Sequence, residues 1–140
     1  MSVTITLKDR IMWLAGIIEG EGTIGVAKGK YPVVAVVMSD GDVVRRCQEY
    51  AGHGSVRGPY DRPNGNLPLW GWKITGRHAA GLMMTIYPLM GIRRQAKIQE
   101  CLTTWKTVRR WGTVWCSVDG CSNTHCAKGF CSMHYQREYK

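Results

Sequence analysis

The chain is 140 residues long, 44% of them hydrophobic, and carries a formal net charge of +9 at pH 7. This length suits one domain, or one domain with a small appendage, and the hydrophobic fraction excludes a disordered chain. The longest apolar stretch, Pro32 to Met38, is of strand length, so no membrane span is expected. The chain shows no export leader, and we therefore expect a cytoplasmic protein whose six cysteines are metal ligands or free thiols.

The basic residues are concentrated in the middle and later part of the chain. Between Tyr50 and Thr113 there are ten Lys or Arg residues and only two acids, Asp61 and Glu100. This excess favours a polyanionic partner, because cations that neutralise phosphates release condensed counterions. Nucleic acid is the favoured partner, and the alternatives are a solubilising surface or contact with an anionic membrane.

The first predicted element is a helix over Asp9 to Ile18, where apolar residues recur at helical spacing. Thr6 or Asp9 would cap its start, and Gly22 would end it in a left-handed conformation. The elements that follow are strands over Gly22 to Lys28 and Tyr31 to Ser39, a helix from Asp40 or Asp42 to Gly52, strands over Gly54 to Tyr60 and Leu67 to Thr75, and helices over Gly76 to Met90 and Ile92 to Arg110. This order predicts an α+β domain with an antiparallel sheet over residues 1–111, followed by an appendage over residues 112–140.

The first helix carries a motif of small residues and acids, Trp13-Leu-Ala-Gly-Ile-Ile-Glu-Gly-Glu-Gly22. This motif resembles that of the LAGLIDADG homing endonucleases, and the likeness extends over roughly residues 8 to 110. It implies the family's αββαββα core, and the segment Arg93-Arg94-Gln95-Ala96 looks like the basic start of that core's last helix.

Gly16 and Gly20 are spaced by four residues, so they share one helix face and allow another backbone to approach closely. Because the motif occurs once, the partner helix should come from a second chain in a two-fold homodimer, with Ala15, Gly16 and Gly20 at the interface. A two-fold dimer suits duplex DNA, whose strands are also related by two-fold axes.

The resemblance assigns the acid at the motif's eighth place, Glu21, as the ligand of a catalytic Mg²⁺. The family more often has Asp at this place, and Glu19 at the sixth place is interpreted as structural. Arg93 or Arg94 lies near the family's active-site lysine and is the candidate for stabilising charge on the phosphate. The alternatives are that these arginines contact phosphates only, and that Glu21 is an exposed acid at a helix end.

One face of the sheet should pack on the helices, while the other lies in a major groove. The predicted DNA contacts on this face are Ser55, Arg57, Lys73 and Thr75, and those at loop tips and in the last helix are Lys28, Lys30, Arg62, Asn64, Asn66, Arg109 and Arg110. The first hairpin offers few groups that read bases. It either binds through shape and thymine-methyl contacts, or its predicted register is wrong.

The C-terminal appendage contains four of the six cysteines, and Cys116, Cys121, Cys131 and His134 form a set suited to one structural Zn²⁺. A metal would explain how so short a segment folds. The segment resembles the Cys3His zinc fingers found beside phage homing endonucleases, and it should add DNA contacts through Lys128, Arg137 and Lys140. His125 and Cys126 compete as ligands, and free or redox-active thiols are the alternative. Cys47 and Cys101 should pack as small hydrophobes.

These observations predict a homodimeric, Mg²⁺-dependent endonuclease that cuts both strands of duplex DNA, in a prokaryotic or phage-infected cell. The rival is a DNA-binding protein or regulator that keeps the same scaffold without cutting. A zinc-stabilised RNA-binding protein is a weaker third hypothesis, because the sequence lacks an aromatic stacking platform.

Overall fold

A computed structural model describes residues 3–111, 123 and 131–139. Two helices and two hairpins alternate before the C-terminal helices. The elements are α1 (Leu7–Glu21), β1 (Gly22–Ala27), β2 (Tyr31–Met38), α2 (Gly41–Ala51), β3 (Ser55–Tyr60), β4 (Leu69–Thr75), α3 (Gly76–Ile86), a 3₁₀ turn (Tyr87–Leu89), α4 (Ile92–Trp111) and α5 (Ser132–Tyr139). The predicted order and the α+β class are confirmed.

The four strands form one antiparallel sheet in the order β1-β2-β4-β3. Because side chains alternate along a strand, one face is buried and the other is open. The buried face carries Ile24, Val34, Val36, Trp72 and Ile74. Across the open face, one row of paired residues runs Thr23, Ala35, Lys73, Ser55.

The helices cover the buried face of the sheet and complete the core. Their buried side chains are Leu14, Ala15 and Ile18 of α1, Val44 and Cys47 of α2, and Ala79, Ala80, Met83 and Ile86 of α3. Trp72 is fully buried, and its indole N–H donates to the carbonyl of His53 at 3.0 Å. Cys47 and Cys101 are buried as predicted, and burial raises the pKa of the Cys47 thiol to about 11.

Helix α1 begins with a capping box. The backbone N–H of Asp9 donates to the Thr6 hydroxyl at 3.1 Å, and the N–H of Thr6 donates to the Asp9 carboxylate at 2.9 Å. Hydrogen bonding of the Asp9 carboxylate to the backbone N–H of Thr6, and then to the Thr6 side chain, lowers the pKa of Asp9. Both residues proposed for the cap therefore act together.

The prediction that Gly22 ends α1 in a left-handed conformation is wrong. Its φ of −83° and ψ of 159° are extended, and it is the first residue of β1. A Cβ at this position would lie 2.7 Å from both Cα and O of Ile18. Glycine is required here by the close approach of the strand to the helix.

The later boundaries follow the predictions within a few residues. Helix α2 begins at Gly41, and Asp40 occupies the cap position without a side-chain hydrogen bond to the described residues. Gly52 ends it with a φ of 77°. The predicted helix to Met90 stops at Ile86, and the 3₁₀ turn that follows contains Pro88, which cannot donate a helical hydrogen bond.

The chain divides into two compact units, Met1–Cys101 and Leu102–Lys140. The second contains the end of α4, where Trp105 is buried, and α5. The predicted boundary after residue 111 stays a prediction. Within the described part of the chain, every helix is too short or too polar to cross a membrane.

Candidate nucleic-acid interface and active site

Helix α1 has an open face opposite its buried one. Gly16 and Gly20 are exposed, and Met12, four residues earlier, is 53% exposed. Apart from the helix's own backbone, no atom of the described residues lies within 4 Å of a Cβ built at either glycine. Ala15 is only 4% exposed and packs into the chain's own core, so little of it remains for a second chain. The open face is therefore a stripe of Met12, Gly16 and Gly20.

The C-terminal end of α1 is tied to the start of α4. The Glu19 carboxylate accepts a hydrogen bond from the backbone N–H of Gly91, and the Glu19 carbonyl accepts one from Nη2 of Arg94, each at 3.3 Å. A Cβ at Gly91 would lie 2.8 Å from Oε1 of Glu19. The interpretation of Glu19 as structural thus gains specific contacts that the sequence did not reveal, since they join residues more than 70 positions apart.

This junction brings the predicted active-site residues to one corner of the fold. Glu21 is the exposed last residue of α1, two positions after Glu19. Arg94 is half-buried and engaged with α1, and its Nε is buried with no hydrogen-bond partner among the described residues. Arg93 is exposed at the same turn of α4. Of the two arginines, Arg93 is therefore the more exposed, while Arg94 contacts the end of α1.

The second hairpin places its predicted contact residues along one groove of about 680 Å³. We call it the basic groove; it is lined by Gly54, Ser55, Arg57, Tyr60, Lys73, Ile74, Thr75 and His78. Ser55 pairs directly with Lys73 across β3 and β4. The prediction that Ser55, Arg57, Lys73 and Thr75 share one face agrees with this geometry.

All six residues of β1 pair with β2 in the first hairpin. Thr23 pairs with Ala35 and Gly25 pairs with Val33, so small side chains occupy its open face. Lys28 and Lys30 are exposed at its turn. Thr23 and Tyr31 bring hydroxyl groups to this part of the face, and the other side chains of the two strands there are apolar.

The loop between β3 and β4 uses two of its predicted contact residues to hold its own shape. Nε of Arg62 donates to the carbonyl of Leu67 at 2.8 Å, and the side-chain amide of Asn66 donates to the carbonyl of Pro63 at 3.2 Å. Asn64 is exposed with a φ of 66°. Arg62, Asn64 and Asn66 are all exposed to solvent.

The proposed zinc ligands lie partly outside the described residues. Sγ of Cys131 and Nδ1 of His134 are 3.2 Å apart, and Cys131 is 2% exposed. Arg137 is exposed, and the backbone of Arg109 and Arg110 belongs to α4. The candidate zinc ligands Cys116, Cys121, His125 and Cys126 lie outside the described residues, as do the predicted DNA contacts Lys128 and Lys140. Among the described residues, no group of three or more metal-ligating side chains occurs.

Two kinds of side-chain contact were not predicted. The imidazoles of His53 and His78 stack with ring centroids 3.8 Å apart and an interplanar angle of 17°. On the helical side, Arg46 lies over Trp13 and Arg45 over Trp70, at 5.4 and 5.0 Å from the ring centroids. These pairs could not be predicted from local sequence patterns, because each forms only when two separate elements pack together.

No protein-family model matches this chain, and no curated protein sequence matches it. Solved structures do resemble it. The homing endonuclease I-CvuI, in complex with the I-CreI target in the presence of Mg, is 15% identical over 76% of this chain and 73% of its own, with a TM-score of 0.56. The intron-encoded homing endonuclease I-CeuI, complexed with DNA, is 16% identical over 79% of this chain and 61% of its own, also at 0.56.

A third similar structure, the homing endonuclease I-TnaI, is 16% identical over 79% of this chain and 76% of its own, with a TM-score of 0.56. At such identities the likeness concerns the fold. This chain has the fold of the LAGLIDADG homing endonucleases, as the resemblance of its motif implied.

Proposed function

We propose that this chain binds duplex DNA as a homodimer and cleaves it with a divalent metal ion at Glu21. The observation that carries the proposal is the placement of Glu21 at the exposed end of α1, directly after the open Met12, Gly16 and Gly20 stripe. The similar structures of I-CvuI and I-CeuI are complexes of homing endonucleases with DNA, which supports the same partner here.

Duplex DNA fits the open face of the sheet in shape and charge. The strands of the first hairpin carry uncharged side chains on this face, and the second hairpin is cationic, because Arg57 and Lys73 line the basic groove. A β-sheet can enter the major groove, and each cation that contacts a phosphate adds about −0.9 to the slope of log affinity against log salt.

This binding is tested by fluorescence anisotropy of a labelled duplex over a range of salt concentrations. Arg57→Gln and Lys73→Gln should each weaken binding and reduce the steepness of the salt slope by about 1. Lys97→Gln is the matched control, since Lys97 pairs with Glu100 on α4, outside the basic groove. A salt slope near zero for the wild type, or tighter binding to single strands, would contradict the proposal.

The homodimer rests on the open stripe of α1, which lets two such helices approach closely. Gly16→Leu would place a bulky side chain between them and convert dimers to monomers. Gly81→Leu in α3 is the matched control, because no atom of the described residues outside its own helix lies within 4 Å of its Cβ position either. Analytical ultracentrifugation of both variants measures the outcome, and dimers of unchanged affinity for Gly16→Leu would exclude this interface.

A Mg²⁺ ion fits the end of α1, because Glu21 offers an exposed carboxylate and hard cations prefer oxygen ligands. When bound, such an ion supplies activation of water and stabilisation of the leaving oxygen. One chain brings a single carboxylate, so further ligands must come from the second chain, the DNA phosphates and water. The exposed Arg93 is the proposed phosphate contact, and the contact of Arg94 with Glu19 supports a positioning role for Arg94 at the end of α1.

The enzyme proposal is tested by selecting cleaved targets from a randomised plasmid library and then assaying Glu21→Gln on one of them. Cleavage should fall by orders of magnitude while DNA affinity is retained, because the variant keeps its shape and loses the charge that binds the metal. Glu49→Gln on the surface of α2 is the control and should cut normally. Cleavage by Glu21→Gln at the wild-type rate would assign the chemistry to other residues.

A second candidate function is a DNA-binding regulator that does not cut. The contact of Arg94 with Glu19 favours it, since one of the two candidate arginines is occupied in holding α1. Tight, specific binding by the wild type with no cleavage in Mg²⁺ or Mn²⁺ would establish this alternative.

We also propose that Cys131 and His134 bind a structural Zn²⁺ together with Cys116 and Cys121. The separation of 3.2 Å between Sγ and Nδ1 is close to the roughly 3.6 Å expected for two ligands of one tetrahedral zinc. Elemental analysis should find one zinc per chain, and Cys121→Ser should lose it while residues 1–101 stay folded. Protein purified without chelator and free of zinc would contradict this.

A further inference from the structure

We infer that the stacked pair of His53 and His78 takes up protons when a backbone phosphate of DNA enters the basic groove, so that DNA binding tightens as the pH falls. The inference rests on the proposed DNA binding and adds a regulatory property to it. His78 lines the groove itself, and His53 stacks on it at 3.8 Å between ring centroids.

The pair is held in place by the fold. The indole of Trp72 donates to the carbonyl of His53, and the side-chain amide of Gln48 donates to the carbonyl of Gly54 at 2.8 Å. Gly54 has a φ of 100°, and a Cβ there would lie 2.5 Å from Nε1 of Trp72. These contacts hold the backbone at His53 and Gly54, and the exposed imidazole of His53 stacks on that of His78 in the first turn of α3.

The charged groups beside His78 and along the basic groove are cationic. The neighbouring titratable groups are Arg77 on α3, Lys73 on β4, and Arg57 and Tyr60 on β3, and no acid lines the groove among the described residues. Burial, then His53 and Arg77, lower the pKa of His78. The imidazole of His78 is consequently kept neutral in the free protein at neutral pH, and a proton on each of two stacked rings would cause repulsion.

A phosphate in the groove reverses this balance. Its negative charge favours the protonated form of each imidazole, so the pKa of the pair rises on binding and protons are taken up. By linkage, a complex that binds more protons than its free components becomes tighter as pH falls. Neutral imidazoles can still form hydrogen bonds with a phosphate, so the affinity for DNA should change gradually with pH rather than be lost at high pH.

The test is the pH dependence of affinity for a labelled duplex at constant salt, measured by anisotropy from about pH 8 to about pH 5.5. We expect the wild type to bind roughly threefold to tenfold tighter at the acid end than the double variant His53→Gln/His78→Gln, with similar affinities at the alkaline end, since one proton taken up gives at most about tenfold per pH unit. Glutamine keeps a hydrogen-bonding side chain that does not titrate. Arg77→Gln is the control and should keep a pH dependence.

Calorimetry in two buffers of different ionisation enthalpy counts the protons directly. Net proton uptake by the wild type near pH 6 that is lost in the double variant supports the inference. Equal pH profiles for wild type and double variant would overturn it and leave the proposed DNA binding intact. Failure of the wild type to bind duplex at any pH would overturn the proposed function itself, so the two failures are distinct.

Discussion

Replacing Gly22 by alanine should destabilise the fold at the junction of α1 and β1. A Cβ at this buried position would lie 2.7 Å from Cα and O of Ile18 and 3.0 Å from its Cγ2. Ordinary contacts begin at 3.4 Å, so the backbone must move by about 0.7 Å. Two of the three atoms belong to the helix backbone, which cannot rotate away as a side chain can.

Overpacking of this kind costs about 1–3 kcal/mol, and the lower chain entropy of alanine offsets about 0.5–1 kcal/mol of it. We therefore expect Gly22→Ala to be less stable by about 1–2 kcal/mol. With a urea dependence of about 1–3 kcal/mol per molar, the midpoint should fall by roughly 0.5–1 M. Urea denaturation at one fixed chain concentration measures it, since the stability of a dimer depends on concentration.

Gly25→Ala provides the matched control on the same strand. No atom of the described residues lies within 4 Å of its Cβ position. This variant should be as stable as the wild type, or more stable by up to about 1 kcal/mol. If Gly22→Ala proves as stable as Gly25→Ala, the steric explanation for the last glycine of the motif is refuted.

Three further predictions concern the capping box, the core thiol and the core tryptophan. Hydrogen bonds from Thr6 lower the pKa of Asp9, so ionised Asp9 stabilises the folded state above pH 3.8. This stabilisation is lost as the pH falls through the lowered pKa. Thr6→Ala should therefore make the free energy of unfolding less sensitive to acid, as unfolding titrations can measure. The pKa of Cys47 rises from 9.0 to about 11, so stability should decline as pH rises between these values, and less so in Cys47→Ala, as chemical denaturation can show. Trp72→Phe should cost about 2–4 kcal/mol in urea denaturation, because it leaves a void and an unpaired His53 carbonyl; an unchanged midpoint would contradict this.

The order of elements could be predicted from the sequence because each is encoded by local patterns. Apolar residues at helical or alternating spacing marked the helices and strands, and turn-forming residues such as Gly52 fixed the ends of elements. The same alternation placed Arg57 and Lys73 together, since strands joined in a hairpin have few possible registers.

Contacts between distant elements could not be predicted in this way. The conformation of Gly22 depends on how closely β1 approaches α1, and its sequence context matched a left-handed helix end equally well. The different contacts of Arg93 and Arg94 depend on which side of α4 faces Glu19. If α4 were rotated by one residue, Arg93 would face Glu19 in place of Arg94. The stacking of His53 and His78 likewise requires the α2–β3 loop and α3 to meet.

Helix α1 combines two requirements that ordinarily conflict, a rigid attachment and an open surface. One side is fixed in the core by Leu14 and Ile18, while the side that carries Gly16 and Gly20 is left bare. The helix end is then held twice, by the tight contact of Gly22 with Ile18 and by the hydrogen bonds of Glu19 to α4. A carboxylate at position 21 is therefore set by the packed domain rather than by a loop, which is the support that the proposed metal ligand would require. Both acids of the motif are exposed, but the acid at the sixth place is engaged by the backbone N–H of Gly91, which the acid at the eighth place is not.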